Sequence, residues 1–401
     1  MIEFPKIYIT PKGERSLRGG HPWVYADEAD SDGVIENGTL VNVFSAKKRF
    51  LGTGFFNANS KIRVRIISRN ANDKFDRAFW ARRVRYSLDY RRTVMGEDFR
   101  CCRLIFGEAD SFPGFTVDRF GEVLVTQVLS LGIEKIKDML YELLTETLAE
   151  MGAPISAIYE RSDVKIRELE GMEQYKGFWS GLRNLSGATE ITENGIKYAV
   201  DYVNGQKTGF FLDQKYNRMA IRRIAKGRTV LDCFTHTGAF ALNAAAAGAK
   251  LVNAVDISED AVAMTKKNAE LNGFTNMQFT AANVFDLLTD LYKTGNSPYD
   301  FIILDPPAFT KSSGTVKNAI RGYKEINLKA MRLLPRGGYL ATCSCSHFMT
   351  EPLFRQMLHD AAADAEVSLR QIEARQQSPD HPILWNVPET DYLKFFIFQV
   401  V

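Results

Sequence analysis

Cysteines and long apolar stretches are scarce in this chain, and each scarcity excludes a class of protein. Five cysteines among 401 residues show no disulfide framework. The spacing Cys343-x-Cys345 has no second cysteine pair to complete a four-ligand zinc site, so we expect no metal. No apolar run approaches transmembrane length and no signal peptide is evident, which predicts a cytoplasmic protein without a membrane partner.

Net charge is small, but its distribution along the chain is uneven. The whole chain carries +3, whereas residues 1–100 hold 19 Lys or Arg against 12 Asp or Glu. This basic first quarter predicts a surface that neutralises RNA phosphates. Arg63 and Arg65 share one face of a predicted strand, and Arg69 follows them. The arginines between 77 and 92 lie on a predicted helix and fit either an RNA surface or an ordinary solvated face.

Turn and periodicity signals divide the chain into three predicted domains. Residues 1–70 alternate short β segments with glycine turns, as in a small β-barrel. Residues 71–185 join a linking helix to an α+β unit. Residues 186–401 begin with a hairpin and continue as alternating strands and helices, which predicts a Rossmann-like α/β domain. That domain ends in a predicted antiparallel hairpin of residues 367–375 and 392–400.

The third domain contains an apolar strand, Phe301 to Leu304, followed by Asp305-Pro306-Pro307-Ala308-Phe309. An apolar run bounded by prolines is typical of a central parallel strand that stops at the ligand-binding edge of the sheet. Nucleotide-modifying methyltransferases use this pattern to bind the target base. Lys311, shortly after Phe309, is a candidate contact to the substrate backbone.

Three further strand ends predict a site for S-adenosylmethionine. One strand ends at Asp232 and is followed by Gly238, without the three glycines that a dinucleotide site needs. Asp232 can meet the cationic amino-acid end of the ligand. Asp256 follows the second strand and is placed to bind the ribose hydroxyls, and Asn283 follows the third, where the adenine edge would lie.

The run Ser344-Cys345-Ser346 ends a strand that neighbours the strand of Asp305 in this fold. Carbon 5 of cytosine is a poor nucleophile, and a thiolate that adds to carbon 6 activates it. Cys345 or Cys343 supplies such a thiol, and Asp305 supplies a group for the polar edge of the ring. No base for the carbon-5 proton is evident from the sequence.

These motifs resemble the bacterial ribosomal RNA large-subunit methyltransferase I family, which forms 5-methylcytosine in large-subunit (23S) ribosomal RNA. The resemblance covers nearly the whole chain. It rests on the Asp305–Phe309 and Ser344–Ser346 runs and on three further segments, Gly20–Tyr25, Gly107–Arg119 and Gly205–Gln214. It implies an N-terminal PUA-type RNA-binding domain, a central α+β domain and a C-terminal class I methyltransferase domain.

The same resemblance assigns roles to individual residues. It implies that Cys345 is the nucleophile and that Asp305 orients or protonates the base. It also implies cofactor contacts at Asp232, Phe234, Gly238, Asp256, Ile257, Asn283, Asp305, Thr208, Gly209 and Asp213.

Two departures from the family pattern leave questions open. The family often has Asp where this chain has Asn283, and Ala308 stands where many RNA cytosine methyltransferases have a second cysteine that assists product release. Cys343 is a hypothetical substitute for that thiol. The alternatives are a ribosomal RNA guanine methyltransferase without covalent catalysis and a non-catalytic RNA-binding assembly factor. A homodimer is a candidate assembly, but the oligomeric state, the modified nucleotide and the state of the RNA substrate are not decided by the sequence.

Overall fold

The computed structural model describes residues 3–31, 33–295, 297–310 and 312–401, which form two compact units. The first unit comprises Met1–Ile191, Val200–Leu212 and Pro379–Thr390. The second comprises Thr192–Ala199, Asp213–Ser378 and Asp391–Val401. Among the residues described, no helix combines the length and the apolar character that crossing a membrane requires.

The first unit begins with a mixed six-stranded sheet. Its elements are β1 (Lys6–Ile9), α1 (Pro11–Arg18), β2 (Trp23–Tyr25), β3 (Ala29–Ser31), β4 (Leu40–Ser45), β5 (Phe50–Phe56) and β6 (Ile62–Ser68), in the sheet order β2-β6-β5-β4-β1-β3. Alternating side chains such as Val41 and Val43 are buried in its core. At Gly54 a Cβ atom would lie 2.2 Å from the carbonyl oxygen of Arg65 on the paired strand, so glycine permits this close approach.

A second, five-stranded sheet follows in the same unit. Its elements are α2 (Arg77–Met95), β7 (Cys101–Phe106), β8 (Phe115–Phe120), β9 (Val123–Val128), α3 (Leu131–Glu134), α4 (Lys137–Glu150), β10 (Ala157–Ser162), α5 (Ile166–Leu169) and β11 (Tyr175–Phe178), in the sheet order β11-β10-β9-β8-β7. Only the β9–β10 pair is parallel among the pairs described, because α3 and α4 carry the chain across between them. A hairpin of β12 (Ala188–Glu193) and β13 (Ile196–Asp201) comes next.

The second unit is built on a seven-stranded sheet with helices on both faces. Its strands are β14 (Thr229–Cys233), β15 (Leu251–Asp256), β16 (Met277–Ala281), β17 (Phe301–Leu304), β18 (Tyr339–Ser344), β19 (Leu369–Arg375) and β20 (Lys394–Val400), in the order β16-β15-β14-β17-β18-β20-β19. Its helices are α6 (Lys215–Ala220), α7 (Arg222–Ala225), α8 (Ala239–Ala246), α9 (Glu259–Leu271), α10 (Val284–Thr294), α11 (Val316–Leu333) and α12 (Glu351–Asp364).

Strand β17 lies at the centre of this sheet and is buried on both faces. Ile302 and Leu304 belong to one hydrophobic cluster, and Phe301 and Ile303 belong to a second cluster on the opposite face. Strands β14 to β18 are parallel, while β20 pairs antiparallel with both β18 and β19. The strand order reverses between β14 and β17, and ligands of open α/β sheets bind at such a switch point.

Candidate active site

Three predicted site residues follow adjacent strands at the switch point of the second unit. Asp232 lies near the end of β14, Asp305 directly follows β17, and Cys345 directly follows β18. In the sheet register Cys233 is opposite Leu304, and Leu304 is opposite Thr342. The carboxyl ends of parallel strands meet at one edge, so the sheet brings these three residues to the same edge.

The turn after β14 is tightly constrained. Phe234 and His236 adopt left-handed backbone conformations with φ of 64° and 52°, and Gly238 has φ of 84°. Two such residues other than glycine in one turn are uncommon and are found at functional sites. A Cβ atom on Gly238 would lie 2.5 Å from side-chain atoms of Leu242 and Thr265, so this position requires glycine both for its backbone and for its packing.

Asp232 is a buried carboxylate at the base of this turn. Its Oδ2 atom accepts hydrogen bonds from Thr235 Oγ1 at 2.6 Å and from the Ala241 backbone N–H at 3.0 Å. Burial raises the pKa of Asp232 to about 7, with Asp305 and Asp256 adding repulsion that these two hydrogen bonds oppose. A cationic ligand would stabilise the charged form of this buried carboxyl. The contact between Asp232 and the cationic end of S-adenosylmethionine stays a prediction.

The next two strand ends present groups of different polarity. The Asp256 carboxylate accepts the His236 backbone N–H at 2.9 Å and the Ser258 backbone N–H at 3.0 Å, which fixes its orientation. The neighbouring Ile257 side chain is 71 % exposed, unusually high for isoleucine. Asn283 caps α10, its Oδ1 atom accepting the Phe285 backbone N–H at 2.9 Å. The ends of β15 and β16 therefore carry a carboxylate (Asp256), an exposed apolar side chain (Ile257) and an amide (Asn283).

Asp305 is held by two polar side chains. Gln214 Nε2 donates to Asp305 Oδ1 at 3.1 Å, and the Cys343 thiol is hydrogen-bonded to the same carboxyl. Burial raises the pKa of Asp305 to about 6; Asp213 adds to this rise, whereas the guanidinium of Arg218 opposes it. A carboxyl with this pKa exchanges a proton readily near neutral pH, so Asp305 can accept a hydrogen bond from a base or protonate it.

Phe309, four positions after Asp305, packs within an aromatic cluster. The ring centroids of Phe309 and Tyr323 are 4.6 Å apart, those of Phe309 and Phe285 are 5.9 Å apart, and Phe234 lies slightly further away. These ring contacts anchor the segment that follows Asp305 through the packing of Phe309.

The two thiols of β18 have different surroundings. Cys343 is fully buried, and burial next to Asp305 raises its pKa well above the ordinary value, so it is held as a protonated thiol. Cys345 is partly exposed. Its neighbours anchor the segment: Ser344 Oγ donates to Tyr323 at 3.1 Å, and Ser346 Oγ donates to the Thr310 carbonyl at 3.0 Å. Of the two alternatives for the nucleophile, this geometry favours Cys345.

Lys394 is a site residue that the sequence did not reveal. It is 4 % exposed and stands opposite Ser344 on β20. Its Nζ atom donates to the carbonyls of Ser346 at 2.6 Å and Tyr392 at 2.8 Å. Burial lowers the pKa of Lys394 to about 8, an effect that interaction with Cys345 opposes, so an ammonium group lies near that cysteine. The signal available in the sequence was the position of Lys394, a single charged residue at the start of the apolar strand KFFIFQV.

The segment Gly205–Gln214, which holds three of the residues expected to contact the cofactor, is divided between the two units. Thr208 and Gly209 belong to the first unit, where Thr208 Oγ1 donates to Asp118 Oδ2 at 2.6 Å. Asp213 belongs to the second unit, where the Tyr392 hydroxyl donates to its Oδ2 atom at 2.7 Å. The cofactor roles assigned to these three residues stay predictions.

The predicted RNA-binding arginines differ in their availability. Arg65 is 11 % exposed on its side chain and forms an ion pair with Glu170 at 2.8 Å. Arg63 donates to backbone carbonyls of Asn57 and Ala58. Arg69 is exposed, and Lys311 lies outside the described residues. Arg65 is thus occupied within the first unit, and Arg69 is the better candidate for a phosphate contact.

Comparison with known proteins identifies two families in the chain. The S-adenosylmethionine-dependent methyltransferase family matches residues 173–399, and the PUA-like domain family matches residues 7–69. The chain is 39 % identical over 399 residues to ribosomal RNA large subunit methyltransferase I of Aliivibrio fischeri, covering 98 % of this chain and 99 % of the relative. It is 40 % identical over 400 residues to the protein of the same name from Shewanella denitrificans, with the same coverage.

Solved structures agree with this assignment at the level of the fold. A SAM-dependent methyltransferase from Streptococcus mutans superimposes with a TM-score of 0.83 at 23 % identity, covering 99 % of this chain and 100 % of its own. A methyltransferase complexed with SAH gives a TM-score of 0.84 at 23 % identity and the same coverage. The predicted fold class, a PUA-like domain followed by a methyltransferase domain, is confirmed.

Proposed function

The chain belongs to the ribosomal RNA large subunit methyltransferase I family, and from this premise we propose that it methylates carbon 5 of a cytosine in large-subunit ribosomal RNA. The observation that carries the proposal is the pairing of Cys345 with Asp305 on adjacent strand ends. A guanine methyltransferase without covalent catalysis has no use for a thiol at this position.

The groups at the sheet edge fit S-adenosylmethionine as the methyl donor. The buried Asp232 carboxyl suits the ligand's ammonium group, and the anchored Asp256 carboxylate suits two ribose hydroxyls. The exposed Ile257 side chain offers an apolar surface to the adenine ring, and the Asn283 amide offers a hydrogen-bonding group to its edge. S-adenosylmethionine supplies an electrophilic methyl group when it is bound.

We assign the covalent steps to Cys345 and Asp305. The Cys345 thiolate forms a bond to carbon 6 of cytosine while Asp305 stabilises or protonates the polar edge of the ring. The electron density that this addition places on carbon 5 allows carbon 5 to take the methyl group. A base then removes the proton from carbon 5, and the bond between sulfur and carbon 6 breaks to regenerate the thiolate. Any proton that Asp305 gave to the ring returns to its carboxylate in this step.

A trapping experiment tests the covalent step. In RNA containing 5-fluorocytidine the fluorine on carbon 5 cannot leave as a proton, so the adduct between protein and RNA should survive denaturing electrophoresis. We expect adducts with the wild type and with Cys343→Ala, whose thiol is buried, but none with Cys345→Ala. An adduct with Cys345→Ala, or none with the wild type, would contradict the proposed mechanism.

Two further expectations accompany this function. A cytoplasmic location stays a prediction that cell fractionation can test. Assembly as a homodimer stays a prediction that light scattering of the purified protein can test.

A further inference from the structure

One tryptophan of the first unit is displayed to solvent. Trp385 is 98 % exposed, whereas Trp80 is 2 % exposed. Trp385 lies in the segment 379–390, which links β19 to β20 in sequence but belongs to the first unit. Tyr86 and Tyr90 on α2 are also exposed, by 65 % and 38 %. The exposed rings have faces that are open to stacking with a planar ligand.

The backbone on both sides of Trp385 is anchored. The Leu384 N–H donates to Thr390 Oγ1 at 2.9 Å, and Asn386 Nδ2 donates to the Gly20 carbonyl at 2.6 Å. The start of the segment is fixed to α2, because the Tyr90 hydroxyl donates to the Pro379 carbonyl at 3.0 Å. The exposed indole is therefore carried by an ordered backbone, which reduces the entropic cost of binding a ligand.

Beside Trp385 lies a groove of about 770 Å³, which we call the α2 groove. Its volume is within the range of roughly 300–1,000 Å³ that ligand pockets have. The groove is lined by residues of α2, of the segment before α2, of the turn after β7 and of the Trp385 segment, including Asp73, Arg82, Arg83, Tyr86, Asp110 and Leu384.

The charges of the α2 groove favour an anion. The guanidinium groups of Arg82 and Arg83 lie 5.7 and 4.7 Å from the centre of the Phe79 ring. The two carboxylates of the groove are engaged within the protein: Asp110 pairs with the buried Arg91 at 2.7 Å, and Asp73 accepts hydrogen bonds from Ser68 and Asn70. These hydrogen bonds leave the charge of Asp73 in place, and Arg83 donates to the Ile67 carbonyl at 2.8 Å. With Asp110 paired to Arg91, the groove keeps a net positive charge, which the exposed Arg82 presents to a ligand.

We propose that the α2 groove and Trp385 bind an unpaired segment of the RNA substrate, with bases stacked on Trp385 and Tyr86 and a phosphate bound by Arg82. Exposed aromatic rings interleaved with arginines are the combination that single-stranded nucleic acid requires, since every base has a face for stacking. The proposal rests on the proposed function for its choice of RNA, and it adds a site built from first-unit residues that have no assigned part in methyl transfer.

Binding of a short fluorescent single-stranded RNA to the full-length protein tests this site. We expect Trp385→Ala and Tyr86→Ala each to weaken binding about tenfold, in the range for loss of one stacked base. Tyr292→Ala removes a 48 % exposed tyrosine of the second unit and should leave affinity unchanged. We also expect the effect of Trp385→Ala to disappear when the RNA is annealed to its complement, because paired bases are not free to stack on protein.

The outcomes separate this proposal from the proposed function. Wild-type affinity in both Trp385→Ala and Tyr86→Ala, or an equal loss on duplex RNA, would overturn the site. Formation of 5-methylcytidine by the wild type would be unaffected by that result. Conversely, a wild type that binds single-stranded RNA through Trp385 but makes no 5-methylcytidine would retain the site and refute the function.

Discussion

Cys343 and Cys345 stand two positions apart at the end of β18, and their surroundings give them different chemistry. The Cys343 thiol is buried and bonded to Asp305, which keeps it protonated. Cys345 is partly exposed and precedes the carbonyl that binds the Lys394 ammonium. A cation near sulfur favours the thiolate, which is the nucleophilic form of cysteine. Lys394 is therefore expected to support catalysis through Cys345.

Replacing Lys394 with methionine tests this role. The Lys394 pKa of about 8 means that its ammonium is present at pH 7 and is lost as the pH rises through 8; Cys345, Asp391 and Glu351 all favour the charged form. We expect iodoacetamide to alkylate Cys345 about tenfold more slowly at pH 7 in Lys394→Met, because less of the thiol is present as thiolate without the cation. The difference should shrink above pH 8. Mass spectrometry of the Cys345 peptide measures the rate.

Two controls accompany this measurement. Lys394→Arg keeps a cation and should retain most of the wild-type rate, while Cys345→Ala reports alkylation of the buried cysteines. Equal rates for the wild type and Lys394→Met at pH 7 would show that Lys394 only anchors the carbonyls of Ser346 and Tyr392.

The turn between β14 and α8 requires glycine at position 238. At Gly238→Ala the backbone would keep a φ of 84° and the new Cβ would lie 2.5 Å from Leu242 and Thr265. We expect a loss of stability of about 1–3 kcal/mol from strain and overpacking, with weaker binding of S-adenosylhomocysteine. Urea denaturation and calorimetry measure the two effects.

Gly248→Ala is the matched control for that substitution. Gly248 has a similar φ of 83°, but nothing lies within 4 Å of the position of its Cβ. Gly248→Ala should lose stability only from the strained backbone conformation, because its Cβ meets no neighbouring atom, and it should still bind S-adenosylhomocysteine. If the two variants lost the same stability and bound S-adenosylhomocysteine equally, the packing at Gly238 would not matter.

The strands of the second unit were easier to predict from the sequence than the course of the long connection between them. The apolar run Phe301–Leu304 coincides with β17, and the predicted closing hairpin is present as β19 and β20. Apolar periodicity reports how each strand is buried, so these elements were accessible. It does not report where a long connection goes, and residues 379–390 within that hairpin belong to the first unit. The α2 groove, which includes residues of this connection, could therefore not be predicted from the sequence.

At the scale of the whole molecule, some basic residues of the first 100 form ion pairs within the fold, and others are exposed to solvent. Arg65 is consumed by an ion pair with Glu170, which also accepts hydrogen bonds from Ser60 and Asn57. Arg69 is exposed. The alternation of Arg63 and Arg65 correctly indicated a strand, but the sequence could not show that Glu170, 105 positions later, is the partner of Arg65.

We therefore expect Arg69→Gln to affect RNA binding and Arg65→Gln to affect the stability of the fold. We expect Arg69→Gln to weaken RNA binding and to reduce the slope of log affinity against log salt by about 1, as for one lost phosphate contact. Arg65→Gln should leave the slope unchanged and cost roughly 3–5 kcal/mol of stability, because it strands the buried Glu170 carboxylate. A lower salt slope in Arg65→Gln with unchanged stability would reverse this assignment.

The most direct test of the whole account is the nucleoside that the enzyme makes. Large-subunit ribosomal RNA from cells lacking the gene would be incubated with S-adenosylmethionine and either the wild type or Cys345→Ala, then digested for mass spectrometry. We expect 5-methylcytidine with the wild type and none with Cys345→Ala. A methylguanosine product, or 5-methylcytidine from Cys345→Ala, would contradict it.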